Sequence, residues 1–302
     1  VPRRAWQALI VLLAGMFMAL LDTTIVNVAL PSIRTSLDAS EATLSWIISG
    51  YALAFGLALI PAGRVGDRYG HKWVFFIGLA LFTIASLACG LAQNDLQLII
   101  ARVMQGLAGG VFVSAITAVI QLMFPPMARG KAYAIMGLVI GVSSSLGPIV
   151  GGLIIEAFGV DNGWRLVFWV NLLIGVLALV ATVFLLPGGA ALPRARQVSR
   201  TGTDWLGLAL ISAGLVAFLV PLIEGQDHGW QLWSVFALAA GVLLVVAFGA
   251  WEVSVAKRDR SPLVPPHLFT HPAFTGGVIL ALLLVFALPK RVLDKSPAAA
   301  AE

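Results

Sequence analysis

The chain has 302 residues, of which 60% are hydrophobic and 11% charged, and its mean hydropathy is +0.97. A soluble domain carries about 25% charged residues, so this chain has too little polar surface to cover a water-soluble globule. Its formal charge of +5 resides in basic loops rather than in a Lys/Arg cluster interleaved with aromatics, which excludes a nucleic-acid partner.

About 20 apolar residues are needed to cross the hydrocarbon of a bilayer. Runs that meet this need lie near Trp6–Leu30, Leu44–Ala62, Trp73–Leu91, Leu96–Met123, Ala132–Ile155, Val167–Leu186, Trp205–Ile223 and Leu232–Trp251. They are continuously apolar rather than alternating, which predicts helices and not a barrel. A ninth run, Phe274–Leu288, is shorter and stops at Pro289. The fold class is therefore an all-α polytopic membrane protein. Residues 1–186 form a six-helix bundle, and 187–203 ("PGGAALPRARQVSRTGT") form a polar, basic linker. Residues 204–252 supply an extra helix pair, and 253–302 a loop, a partial ninth helix and a tail. The first run is too long for a signal-peptide core and lacks a small-residue cleavage site, so it is expected to remain in the mature protein.

Lys and Arg in the loops set orientation. One side holds Arg3, Arg4, Arg64, Arg68, Lys72, Arg129, Lys131, Arg194, Arg196, Arg200, Lys257, Arg258 and Arg260, and the other only Arg34 and Arg165. The N-terminus and the linker are thus expected in the cytoplasm. Lys290, Arg291 and Lys295 would break the rule if the ninth run spans.

Asp22 lies deep inside the first run, followed by Thr23, Thr24 and Asn27. Counting about 1.5 Å per residue, it sits roughly 12 Å from the outer end of its helix, and Arg102 roughly 9 Å from the outer end of the fourth. Acid and base are at similar depth and can pair. A lone charge near mid-membrane costs about 2.5–3.5 kcal/mol. Three readings follow: a pair that only locks two helices, a proton or substrate relay, or Arg102 snorkelling to the outer interface. Gln105, Gly106 and Gly109 continue the Arg102 face. Thr23, Asn27 and Gln105 are candidate contacts for a substrate in an otherwise apolar cavity.

Between the second and third runs stands "GRVGDRYGHK". Its glycines Gly63, Gly66 and Gly70 suit a tight helical hairpin. Asp67 can face a helix N-terminus, while Arg68 and Lys72 hold the loop at the cytoplasmic face. In the fifth run, Gly137, Gly141, Ser145, Pro148 and Gly152 form one small-residue stripe, and Ser143, Gly147 and Gly151 a second. Such faces let membrane helices touch, and Pro148 is expected to bend the helix.

Several chemistries are missing. No GxxxxGK[ST], GxSxG or HExxH motif occurs, so neither ATP-driven pumping nor an enzyme is expected. His267 and His271 are hindered by Pro265, Pro266 and Pro272, and Cys89 is the sole cysteine. No metal, cofactor or internal disulfide is expected.

Together, "LDTTIVNVALP", "GRVGDRYGHKWVF", "ARVMQGLAGG", "SSSLGPIVGG" and "WRLVFWVNLLIG" resemble the ordered motifs of the major facilitator superfamily. Within it they are similar to the fourteen-helix drug/proton antiporters, with Val65, His71 and Ser143 departing from the pattern. "DWLGLAL", "FGAWE" and "PLVPPHLFTHPAF" resemble that branch's extra helix pair and following loop. The resemblance implies a multi-pass protein of a bacterial inner membrane that exports amphipathic small molecules, with the proton gradient as its energy source. It further implies proton coupling at Asp22 and Arg102. Gly63, Gly66, Asp67, Arg68, Gly70 and Lys72 become a gating loop, and Gly141, Gly147, Pro148, Gly151 and Gly152 a seam toward a second six-helix bundle. That bundle is the implied partner, besides lipid, protons and a hydrophobic substrate. The chain reads as a truncated member or a fragment. The alternative is an inactive remnant, or a partner-binding membrane subunit without transport of its own.

Overall fold

The computed structural model describes residues 2–186, 204–228 and 231–258, with 263, 270–272, 275–277 and 279–280. They form α1 (Arg3–Leu37), α2 (Glu41–Tyr69), α3 (His71–Leu91), α4 (Asp95–Met123), α5 (Pro126–Leu185), α6 (Trp205–His228) and α7 (Leu232–Lys257). All seven are long and apolar enough to cross a membrane, and no strand occurs among the described residues. The linker 187–203, most of the ninth run and the tail lie outside the described residues.

α5 contains 60 residues. As one rod it would be about 90 Å long, far beyond the hydrocarbon thickness of about 30 Å. It is broken at Gly159, whose φ of 78° and ψ of 167° are open to glycine at little cost. A Cβ on Gly163 would lie 3.0 Å from the Cα of Ile155, so the arms 126–158 and 160–185 fold back on each other. Seven helices thus make eight crossings, matching the eight full-length apolar runs. The break in α5 lies at Gly159. The φ imposed by proline is itself helical, and α5 keeps helical dihedrals through Pro148.

In lipid, apolar surface gives helices no reason to associate, so close backbone approach must hold them. Two seams do this. A Cβ on Gly106 of α4 would stand 2.3 Å from the Tyr51 carbonyl oxygen of α2. A Cβ on Gly147 of α5 would stand 1.9 Å from Thr24 Oγ1 of α1. α1 therefore rides on the 126–158 arm, and α2 on α4. The aromatic centre of the bundle, Phe75, Phe82 and Phe112, is fully buried, with edge-to-face contacts to Phe112 at 5.8 and 5.5 Å.

Bases close the helix ends. Lys72 Nζ donates to the carbonyls of Leu186 at 2.6 Å and Val183 at 3.2 Å, where α5 ends. Arg129 donates to Phe124 and Gln121 at the end of α4. Arg165 donates to Gly90 and Ala92 at the end of α3. Free carbonyls at a helix C-terminus attract cations. Lys72→Met is expected to lower thermal stability by about 0.3–1 kcal/mol; an unchanged melting curve would leave Lys72 with a topological role only.

The pair α6 and α7 packs on itself and meets the bundle at α2. There Trp46 Nε1 donates to Glu224 Oε1 at 2.5 Å. Asp204 caps α6 by accepting from Gly207 N at 2.9 Å, and its other oxygen accepts from Trp251 Nε1 of α7 at 2.9 Å.

Candidate functional site

Asp22 and Arg102 meet. Arg102 Nη1 donates to Asp22 Oδ2 at 2.6 Å, with the two side chains 2% and 0% exposed. The α1 helix brings the acid to the bundle axis because its other buried neighbours, Leu21, Ile25 and Val26, are core residues. α4 presents Arg102, Gln105, Gly106 and Gly109 on one buried face, and the glycines let α2 come close enough to pack over the arginine. Arg102 Nε donates to the Ile47 carbonyl at 3.2 Å, and its guanidinium lies 4.1 Å from the Tyr51 ring centre. Cation–π contact of this kind supports a desolvated charge.

The pair is embedded in a polar cluster. Asp22 Oδ1 accepts from Gln105 Nε2 at 3.0 Å and from Asn171 Nδ2 at 2.6 Å. Gln105 Oε1 accepts from Arg102 at 2.6 Å and from Cys89 Sγ at 3.5 Å. Ser86 Oγ accepts from Gln105 at 3.1 Å and from Asn171 at 3.0 Å, and donates to the Phe168 carbonyl at 2.9 Å. Five crossing segments thus share one network, with hydrogen bonds to a charged group worth about 1.5–3 kcal/mol each.

Gln105, expected at the cavity wall, instead lies behind it: it is 0% exposed, with both ends of its amide committed to the cluster. Asn171, Ser86 and Tyr51 were not singled out from sequence. The available signal for the first was a polar residue inside an apolar run, which in a membrane usually has a partner.

A cavity of about 390 Å³ opens between α1, α2 and α4. Thr23 and Asn27 line it together with Tyr51, Phe55 and Arg102. Thr23 turns its hydroxyl hydrogen to the Leu20 carbonyl, which leaves oxygen lone pairs for a guest, whereas Thr24 Oγ1 packs on Gly147 of α5. Arg102 touches this space while Asp22 does not, so the ion pair turns its positive end toward it.

At the α2–α3 turn, Gly70 adopts φ 101° and is the sole residue between the helices. Asp67 pairs with the first residue of α3: His71 Nε2 lies 3.2 Å from its Oδ1. Gly66 makes room for that ring, since a Cβ there would stand 2.3 Å from His71 Nδ1. Arg68 covers the Tyr69 ring at 5.3 Å, and a Cβ on Gly63 would meet nothing within 4 Å. The fifth-run motif divides between two faces. Ser143, Gly147 and Gly151 are buried, the two glycines against α1. Gly141 and Pro148 are exposed and Gly152 half-buried, and neither of these glycines would bring a Cβ within 4 Å of another atom among the described residues.

The sequence profile described as the Major Facilitator Superfamily matches residues 12–298. The chain belongs to the Major Facilitator Superfamily. Among its relatives, the "Probable actinorhodin transporter" of Streptomyces coelicolor is 38% identical over 280 residues, covering 93% of this chain and 47% of that protein. The "Tetracenomycin C resistance and export protein" of Streptomyces glaucescens is 34% identical over 287 residues, covering 94% and 51%. The chain spans about half the length of these relatives. Among solved structures, a bacterial homolog of the human lysosomal transporter Spinster, inward-facing and occupied, superposes with a TM-score of 0.56 at 22% identity, covering 88% of this chain and 64% of that one. The xylose transporter XylE of E. coli does so with 0.55 at 15% identity, covering 84% and 60%. These likenesses establish the superfamily fold.

Proposed function

We propose that this superfamily member carries the proton-coupling half of an efflux transporter for amphipathic small molecules, seated in a bacterial inner membrane with its N-terminus in the cytoplasm. The observation that carries this reading is the buried Asp22–Arg102 pair standing at the wall of an apolar cavity. The Streptomyces relatives named as a probable actinorhodin transporter and as a tetracenomycin C resistance and export protein support export by likeness. The α2–α3 turn and the exposed Gly141–Gly152 face would meet a second bundle and gate the pathway.

The geometry suggests how a proton would be used. Arg102 is held to α2 by the Ile47 carbonyl and the Tyr51 ring, and to its own helix by Gln105. Only its bond to Asp22 ties it to α1. Neutralising Asp22 removes that Coulomb attraction and loosens α1 from α2 and α4, the three walls of the cavity. Taking a proton from outside and releasing it inside would then drive cavity opening in alternation.

In proteoliposomes, a complete protein carrying this sequence is expected to expel a hydrophobic dye against a proton gradient. Asp22→Asn is expected to insert normally and to lose pH-driven efflux. Undiminished substrate-dependent proton release from that variant would sink the reading. The 302-residue chain, tested alone in the same vesicles, separates it from a non-transporting membrane protein that binds a partner.

A further inference from the structure

Asp22 accepts hydrogen bonds from Arg102, Gln105 and Asn171. When it takes a proton, the new O–H must find an acceptor inside a site with no exposure, because an unmet buried donor costs about 1–3 kcal/mol. Arg102 has no acceptor atom. Ser86 Oγ already accepts twice and donates once. Turning Gln105 would aim its NH₂ at the guanidinium and break its bonds to Arg102 and Cys89. Asn171 differs: among the described residues its Oδ1 is buried without a hydrogen-bond partner, while its Nδ2 holds Asp22 at 2.6 Å.

We propose that Asn171 follows the charge of Asp22, donating from Nδ2 to the carboxylate and accepting at Oδ1 from the carboxylic acid after a half-turn of its amide. The proposal rests on the reading of Asp22 as a proton-carrying group. In the step, a hydronium ion gives one proton to Asp22 Oδ1 and becomes water; one O–H bond forms, and the amide rotates without covalent change. The half-turn carries Nδ2 to the position where Oδ1 had no partner, so amide N–H groups are left unmet there in place of the acid O–H, and it releases Ser86, which keeps Gln105 and Phe168. The other groups facing Asp22 are Arg102 and Gln105 from α4, Ser86 and Cys89 from α3, and Tyr51 from α2. Asn171 is a positioning residue here. It keeps α1 tied to the 160–185 arm in both charge states, so that neutralisation weakens the Arg102 tie to α1 while Gln105 of α4 still donates to Asp22 Oδ1.

The test uses the 302-residue chain in lipid nanodiscs, with ¹³C in the side-chain carbonyl of asparagine, followed by pH-difference infrared spectroscopy. Acidification is expected to produce a protonated-carboxyl band that Asp22→Asn lacks, together with a shift of the labelled amide band. That shift should vanish in Asp22→Asn and in Asn171→Thr, and survive in Asn27→Ala, which removes the cavity asparagine. If Asn171→Thr fails to fold, the shift in Asn27→Ala and its loss in the Asp22→Asn/Asn27→Ala double variant carry the test. An Asp22 carboxyl band with an unmoved amide overturns the proposal and leaves the proton site standing. Absence of any Asp22 carboxyl band overturns both.

Discussion

Replacing Arg102 by leucine is expected to destabilise the bundle by about 3–5 kcal/mol, because it leaves the Asp22 carboxylate buried without its counter-charge. The residual donors, Gln105 and Asn171, are neutral and offset only part of that penalty. Asp22 would either stay charged at this cost or take up a proton and lose its role. The double variant Asp22→Leu/Arg102→Met removes both charges and fills the same space, and is expected to recover most of the stability, since apolar replacement of a buried pair is often neutral or stabilising. Thermal unfolding in nanodiscs reads both. If the double variant is no more stable than the single one, the pair is holding the bundle through its hydrogen bonds to Gln105, Asn171 and Ile47, and not through charge balance. Restored stability without proton-driven efflux in the complete protein would separate a coupling role from a locking one.

Gly106→Leu is expected to have an effect of similar size through packing alone. Its Cβ would lie 2.3 Å from the Tyr51 carbonyl oxygen and 3.0 Å from the Tyr51 Cα, and backbone cannot swing aside as a long side chain can. Overpacking ordinarily costs about 1–3 kcal/mol; a clash with backbone on a helix seam belongs at or above that range. α2 would have to move off α4, drawing the Ile47 carbonyl and the Tyr51 ring away from Arg102. Gly63→Leu, where nothing among the described residues lies within 4 Å of the added Cβ, is the matched control and is expected to melt like the parent. Equal melting of the two variants would show that α2 and α4 do not depend on this contact.

Most of the fold was legible in the apolar runs, because a bilayer demands about 20 apolar residues per crossing whatever the tertiary detail. The ion pair was legible for a related reason. Two charges at similar depth have few alternatives to meeting, and the cost of leaving either alone is large. What escaped the sequence were the partners whose cost of burial is small. Ser86, Tyr51 and Asn171 can each sit in an apolar run without penalty if a neighbour is near, so nothing in their local pattern announces which neighbour it is. Gln105 shows the same limit from the other side: its helix face placed it beside Arg102, but whether that face met a cavity or another helix was decided by how closely α2 approached. The glycine stripes of α5 behaved likewise, with one stripe closing on α1 and the other left open.

The sequence by itself determined the environment, the crossings and the depth of the charges, because these follow from one-dimensional costs of burying polar groups in hydrocarbon. Only the tertiary structure decided that Gly159 folds α5 back, that His71 meets Asp67, and that Asn171 reaches Asp22 across 149 positions of chain. Such contacts depend on the distance between helix axes, and that distance is set by which small residues face each other.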